Sequence, residues 1–278
     1  KADGLASGKG VIVCNDKKEA VDAAKSILID KIFSKAGERI LVEERIEGVE
    51  ASVFAISNGK NFVLIGTAQD HKRAFDNDEG PNTGGMGAIS PAPSLNKQTL
   101  TKVIQTIIKP TIQGMLKENT PYEGILYAGI MITNKGPKVI EFNCRLGDPE
   151  TQVILPRFKI DFLKLILLLM NNKLPKDDLD LLSEEIAITV VLASNGYPGN
   201  FEKGLILPNL KKYKNYKKIK IFHSGTKIDN KKIVSNGGRV LSVTSLGMDV
   251  KECRDRVYQV LNSIKWKHGF FRRDIGKI

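Results

Sequence analysis

Thiols, imidazoles and indoles are scarce in these 278 residues, which hold three cysteines, three histidines and one tryptophan. Cys14, Cys144 and Cys253 are odd in number and far apart, which predicts reduced thiols of a cytoplasmic protein, packed as small hydrophobes. With only His71, His223 and His268 to join them, a Cys/His zinc site has no workable spacing, and cysteine nucleophile chemistry is not expected. Long apolar runs are missing too. The longest, Leu165–Met170, has six residues against the ~20 that a membrane helix needs. No membrane partner is therefore expected, and no signal-like opening is visible. Arginine is the third shortage, at ten of 43 basic residues. A net charge of +12 without arginine or a basic, aromatic-laced helix argues against a nucleic-acid partner. The excess is lysine, much of it around 171–176 and 211–232, and it reads as solvated surface compatible with anionic small substrates. The chain does not begin with methionine, so a longer parent polypeptide is expected.

What remains is an ordinary globular mixture, 41% hydrophobic and 27% charged, with room for two or three domains. Val11–Val13 reads as a buried strand, Lys17–Leu28 as a helix and Arg39–Glu43 as a second strand. Alternating Val49, Ala51, Val53 and Ala55 predict a half-buried strand that turns at Asn58-Gly59 into Phe62–Ala68. Residues 69–93 show neither periodicity and predict a long loop, functional or disordered. Leu100–Leu116 reads as an amphipathic helix kinked at Pro110. Ile125–Ile132 and Lys138–Asn143 follow as strands, Phe162–Leu169 as a buried helix, and Lys173–Asp180 as a polar linker. Short strands at Ala187–Ala193, Ile219–His223 and Val240–Leu246, with a helix near Val250–Ile264, predict a smaller mixed domain. The fold class is α/β (α+β).

Five segments carry chemistry. Gly4, Gly8 and Gly10 with Lys1 and Lys9 suit a polyphosphate, since glycine lets backbone N–H groups crowd an anion; a lysine-bearing turn reads equally well. Neither common phosphate-loop spacing fits. Glu141 and Asn143 alternate on one strand about 6.6 Å apart, with Phe142 expected in the core. A carboxylate and an amide oxygen there suit a hard cation such as Mg²⁺, though both are ordinary at a surface strand end. Arg145 through Glu150 place mixed charges just beyond that strand, where α/β proteins bind ligands. Gln69-Asp70-His71-Lys72-Arg73 and Gly80-Pro81-Asn82-Thr83-Gly84-Gly85-Met86-Gly87 form a second anion cradle, or a flexible tip. Asp76-Asn77-Asp78-Glu79-Gly80 fails as a calcium loop because its glycine falls one position early. The acidic join Glu43–Glu50 can offer its backbone to an adenine edge.

In this order, K-A-D-G-L-A-S-G-K-G-V at 1–11, Q-D-H-K-R at 69–73, G-P-N-T-G-G-M-G-A at 80–88 and K-V-I-E-F-N-C-R-L-G-D-P-E-T at 138–151 resemble the ATP-grasp ligases. Within them, the chain is similar to the phosphoribosylamine–glycine ligase family, and N-G-G-R-V-L at 236–241 and F-R-R-D-I-G at 271–276 agree. The resemblance implies an ATP-grasp two-lobed fold with a smaller C-terminal mixed domain, divided as 1–46, 47–175 and 176–278. It implies ATP contacts at Lys1, Gly4, Leu5, Gly8, Lys9, Gly10, Glu43, Glu44, Ile46 and Glu50, and Mg²⁺ (or Mn²⁺) on Glu141 and Asn143. Asp70, Gly84, Gly85, Met86, Gly87, Asp148, Pro149 and Glu150 fall on the glycine and 5-phosphoribosylamine side, and Lys72, Arg73 and Arg145 on catalytic positions. The implied reaction phosphorylates the glycine carboxylate, and the phosphoribosylamine nitrogen displaces phosphate to give glycinamide ribonucleotide. The family also carries a leading α/β domain absent from these residues, an expected partner in the same polypeptide. Another ATP-grasp carboxylase or ligase, a non-catalytic ATP-binding fragment and a basic nucleic-acid binder are the competing readings.

Overall fold

The computed structural model describes residues 1–6, 10–174 and 181–277. The chain forms two compact units, Lys1–Glu47 and Gly48–Ile278.

In the first unit the helix Lys17–Leu28 has the expected bounds. Asp16 Oδ1 accepts from the Glu19 N–H at 2.8 Å, and the Glu19 carboxylate accepts from the Asn15 N–H at 2.7 Å, a reciprocal cap. The two expected strands do not form. Val11–Val13 is exposed and pairs with nothing among the described residues, and of Arg39–Glu43 only Ile40 bridges, to Ala2. A short β-branched run becomes a strand only where a neighbour supplies the ladder, and local sequence does not report that neighbour.

The second unit is built on one antiparallel sheet. Its strands are β1 (Val49–Asn58), β2 (Phe62–Asp70), β3 (Arg73–Phe75), β4 (Glu79–Asn82), β5 (Gly87–Ser90), β6 (Glu123–Thr133) and β7 (Gly136–Asn143). Further on come β8 (Ile186–Ser194), β9 (Ile219–His223), β10 (Thr226–Asp229), β11 (Lys232–Ser235), β12 (Arg239–Gly247) and β13 (Gly269–Phe270). The main sheet runs β7-β6-β1-β2-β5-β8-β12-β9, with β13 added beside β8; β3–β4 and β10–β11 are separate hairpins. Residues 69–93, expected as a loop, thus supply two short strands of a hairpin and a fully buried sheet strand. Gly-Ala-Ile-Ser has no alternation to read; it is a strand because β2 and β8 pair with it on either side.

β1 is buried on both faces, not half-buried as its pattern suggests. Phe54 and Ile56 pack with Val153, Ile154 and Leu165, while Val53 and Ala55 pack with Val103, Ile108 and Ile112. The latter group lies on a helix that runs as Lys97–Val103 and Lys109–Lys117 around a wide π turn at Ile104–Ile108. Pro110 has no N–H for the carbonyl four residues back, and the widened turn absorbs that loss while keeping the apolar stripe aligned. The helix Phe162–Met170 buries only Leu165 fully, so it lies on the core and is not inside it. The helix Val250–Ile264, capped by Asp249, covers β8 and β12 through Val257, Leu261 and Ile264. Apart from Lys173 and Leu174, the expected linker lies outside the described residues.

Arg157 ties the parts of this unit together from a buried position, 6% exposed. Its guanidinium donates to Glu185 O at 2.6 Å, Ser90 Oγ at 2.8 Å and Ser183 O at 2.9 Å. Arg157→Met leaves those acceptors unmatched and should cost about 2–4 kcal/mol in urea unfolding. An unchanged midpoint would show that the three bonds contribute nothing.

Candidate active site

The strand register collects the site's side chains on one face, because residues directly opposite each other across antiparallel strands point the same way. Ala68, Ser52, Gly129 and Glu141 form one row, and Phe54, Tyr127 and Asn143 form the next. Glu50 and Asp70 lie two residues from Ser52 and Ala68 along their strands and so extend the same face. Glu141 and Asn143 therefore do share a face, as the alternation predicts. Phe142 does not pack into the core: β7 is the edge strand, and the ring is 43% exposed. Gly129 makes room for the acid, since a Cβ there would stand 3.2 Å from the Glu141 Cγ.

Asn143 Nδ2 donates to Glu141 Oε1 at 3.0 Å, and Arg145 Nη2 donates to Asn143 Oδ1 at 3.4 Å. Arg145 also holds Leu146 O at 3.0 Å. A carboxylate and a carboxamide side by side at an open sheet edge are hard oxygen donors of the kind magnesium takes, once the amide turns its oxygen towards Glu141. Among the described residues no group of three or more His, Cys, Asp and Glu could form a cage for a metal. The pair thus fits a cation that draws its remaining ligands from phosphate and water, and does not fit a structural metal.

Lys72 forms an ion pair with Glu50. Burial alone would lower the Lys72 pKa, but Asp70, Glu50 and Glu141 outweigh it and raise the value, which keeps the ammonium charged. Burial pushes the Asp70 carboxyl up to about 7; Lys72 opposes that shift, and Glu150 and Glu50 add to it. Beneath this layer Glu150, 3% exposed, accepts from the Tyr127 hydroxyl at 2.8 Å, and Ser52 Oγ donates to the same hydroxyl at 2.8 Å. Burial first, then Glu150, drives the Tyr127 pKa up, so the phenol stays a donor.

The glycine-rich segment folds back on the Asp70–Arg73 segment. The His71 N–H donates to Gly87 O at 2.9 Å, His71 O accepts from Met86 N at 2.8 Å, and Lys72 O accepts from Thr83 N at 2.8 Å. Gly85, Met86 and Gly87 are buried. Gly85 has φ +111°, and a Cβ there would meet Pro149 Cδ at 2.4 Å, so the Gly84–Gly87 and Asp148–Glu150 segments touch where only glycine fits. Arg73 points elsewhere: its guanidinium holds Gly80 O at 2.7 Å inside the β3–β4 hairpin.

In the first unit Lys1 pairs with Glu43 at 3.1 Å. Gly4 N donates to Ala36 O at 2.9 Å, and Gly10 O accepts from Ala2 N at 2.8 Å. Leu5 is 92% exposed, Glu44 is exposed and Ile46 is half-buried. Gly8 and Lys9 lie outside the described residues.

Comparison with known proteins identifies the family. Residues 1–151 match the family described as phosphoribosylglycinamide synthetase, ATP-grasp (A) domain, and residues 187–278 match its C domain. The chain belongs to the phosphoribosylglycinamide synthetase family. It is 48% identical over 280 residues to the chloroplastic phosphoribosylamine–glycine ligase of Arabidopsis thaliana, covering 99% of this chain and 52% of that protein. The crystal structure of phosphoribosylamine–glycine ligase from Thermotoga maritima superposes with a TM-score of 0.89 at 34% identity, over 99% of this chain and 68% of that one. A biotin carboxylase domain from Hydrogenobacter thermophilus, solved with MgADP, shares the fold at 15% identity and a TM-score of 0.68, over 98% of this chain and 57% of that one. The chain thus spans about half the length of its Arabidopsis relative. Among the described residues, no helix is long and apolar enough to cross a membrane.

Four residues in or beside this candidate site carry no signal of it in the sequence. Ser52 and Tyr127 looked like ordinary strand residues; only the register, 75 residues apart, joins them. Arg239 and Arg272 stand inside segments that carried the resemblance, and their reach to Asp148 at 3.0 Å and Asp78 at 3.1 Å is a tertiary fact.

The raised Asp70 pKa has a measurable sign. The folded protein holds that proton more tightly than the unfolded chain, whose carboxyl titrates near ~4, so stability falls as pH rises from about 4 to about 7. Asp70→Asn removes this dependence, and its stability relative to wild type should climb across that window and level off above it. Parallel urea-unfolding curves at both ends of the window would exclude the shift.

Proposed function

We propose that the polypeptide joins glycine to 5-phosphoribosylamine at the expense of ATP, through a glycyl phosphate, releasing glycinamide ribonucleotide, ADP and phosphate. The observation that carries this reading is the single sheet face on which Glu50, Asp70, Lys72, Glu141 and Asn143 converge beside the Gly84–Gly87 and Arg145–Glu150 segments. A carboxylate resists amine attack until one oxygen becomes a leaving group. Phosphoryl transfer to it needs charge neutralisation and in-line placement more than a covalent nucleophile. A face of cations, carboxylates and backbone amides, without a serine or cysteine nucleophile among the assigned residues, suits that demand.

Glu141 and Asn143 are the residues assigned to Mg²⁺ or Mn²⁺, which when bound would screen the triphosphate charge. Lys72 supplies a cation kept protonated by its acidic neighbours, and Arg145 a second one at the strand end. Lys1, Gly4, Gly10, Glu43, Ile46 and Glu50 are among the residues that the family motifs assign to the nucleotide. Asp70 and the Gly84–Gly87 and Asp148–Glu150 segments are assigned to the amine and amino-acid side. Asp70, with a pKa of about 7, is matched to accept a proton from an attacking amine. A cytoplasmic setting is part of the same reading.

In the full-length polypeptide, ADP release should require both glycine and phosphoribosylamine. Release with bicarbonate in place of glycine would overturn the reading. Glu141→Gln should lower kcat/KM for Mg·ATP by about 100-fold or more. Because Glu141 is exposed, the urea midpoint of that variant should hardly move. Unchanged kinetics at limiting magnesium would remove Glu141 from the metal site.

A further inference from the structure

Arg239 opens β12, and its side chain reaches two loops at once. Nη1 donates to Gly84 O at 2.6 Å, to Asp148 O at 2.7 Å and, at 3.5 Å, to Gly85 O. Nη2 donates to Asp148 Oδ2 at 3.0 Å, while the other oxygen of that carboxylate accepts from Gln152 Nε2 at 2.8 Å. The Gly84 N–H donates to the Tyr197 hydroxyl at 3.0 Å. Both polar groups of Gly84 therefore end on side chains from the segment 187–278, which matches the family's C domain.

An exposed ion pair would mean little here. The Arg239 side chain is only 20% exposed, however, and most of its acceptors are backbone carbonyls, those of Gly84 and Gly85 ahead of β5 and of Asp148 after β7. A planar fork can meet several such acceptors together; an ammonium, a point charge, cannot match that geometry. Breaking the fork removes the bonds to the Gly84–Gly85 turn and to Asp148 in one event, leaving Gly84 to Tyr197 and the carboxylate to Gln152. It leaves Glu50, Lys72, Glu141 and Asn143 untouched, because none of them bonds to Arg239.

We propose that Arg239 is a positioning residue through which the C-terminal segment holds the Asp148 carboxylate and the Gly84–Gly85 turn in one arrangement for the amine and amino-acid substrates. The claim rests on the ligase reading above and adds to it a division of labour: substrate placement depends on β12, and nucleotide affinity does not. Misplacement by about 1 Å can cost ~100-fold in rate, so the effect belongs in turnover and in the KM of the substrates held there.

In the full-length protein, Arg239→Ala should keep the KM for ATP within about twofold and lower kcat/KM for glycine or phosphoribosylamine by about 100-fold. Arg239→Lys should recover little, since charge without the fork does not restore the geometry. Asp148→Asn should fall in the same way, and the double variant should lose far less than the product of the two single losses. Amide hydrogen exchange across 83–87 and 146–152 should quicken at least tenfold in Arg239→Ala and stay unchanged in β1 and β6. Should Arg239→Ala fail to fold, Arg239→Lys carries the same tests. A parallel rise in the KM for ATP, multiplicative single losses, or unchanged exchange in both loops would each overturn the proposal. If wild-type protein shows no glycine-dependent turnover, the ligase reading fails instead, and the exchange measurement alone decides the role of Arg239.

Discussion

Strand β1 has to serve two environments along one edge of its pleat. At its far end Phe54 and Ile56 point into a core filled by Val153, Ile154 and Leu165. Two and four residues earlier the same face carries Ser52 and Glu50, and the sheet has become a polar floor. The change happens where Ser52, Tyr127 and Glu150 bond to one another out of solvent. A buried carboxylate needs such donors, since leaving it unpaired is costly. With them in place, Glu150 can sit under the site, add its negative charge to the field at Asp70, and hold the turn that follows β7 against the sheet.

The site's electrostatics follow from that arrangement. Four carboxylates, those of Glu50, Asp70, Glu141 and Glu150, act on a neighbourhood in which Lys72 is the opposing charge on Asp70. Burial, with Glu150 and Glu50 adding to it, raises Asp70, and the pull of Asp70, Glu50 and Glu141 holds the proton on Lys72 against burial, so an acid and an amine two residues apart on one segment are driven towards opposite roles. Surplus negative charge on an open face also favours the arrival of cations, a physical reason for an acid–amide pair standing at its edge.

How much of this could be read from the sequence depended on the range of the contacts involved. The helices Lys17–Leu28 and Val250–Ile264 were legible because caps and apolar spacing are local signals. Glu141 and Asn143 were legible because alternation alone puts them on one face. Val11–Val13 misled, since an apolar triplet says nothing about whether a neighbour will pair with it. β5 was hidden for the converse reason: its pairing with β2 and β8 overrides a sequence without pattern. The Ser52–Tyr127–Glu150 bonds and the reach of Arg239 join residues up to 155 positions apart, beyond anything that spacing encodes.

The β3–β4 hairpin, which leads into the Gly84–Gly87 turn, is fastened by the far end of the chain. Arg272, buried, donates to Arg73 O and Asp78 Oδ1 at 3.1 Å, and Asp274 Oδ2 accepts from Asn77 N at 2.9 Å. These contacts span 194 to 199 residues. A ribosome adding ~5–20 residues per second therefore needs roughly ten to forty seconds to pass from the hairpin to its clasp. For that interval the sheet can begin to assemble while the hairpin ahead of the Gly84–Gly87 turn stays unlatched, so this corner sets only after the 271–276 segment has been made.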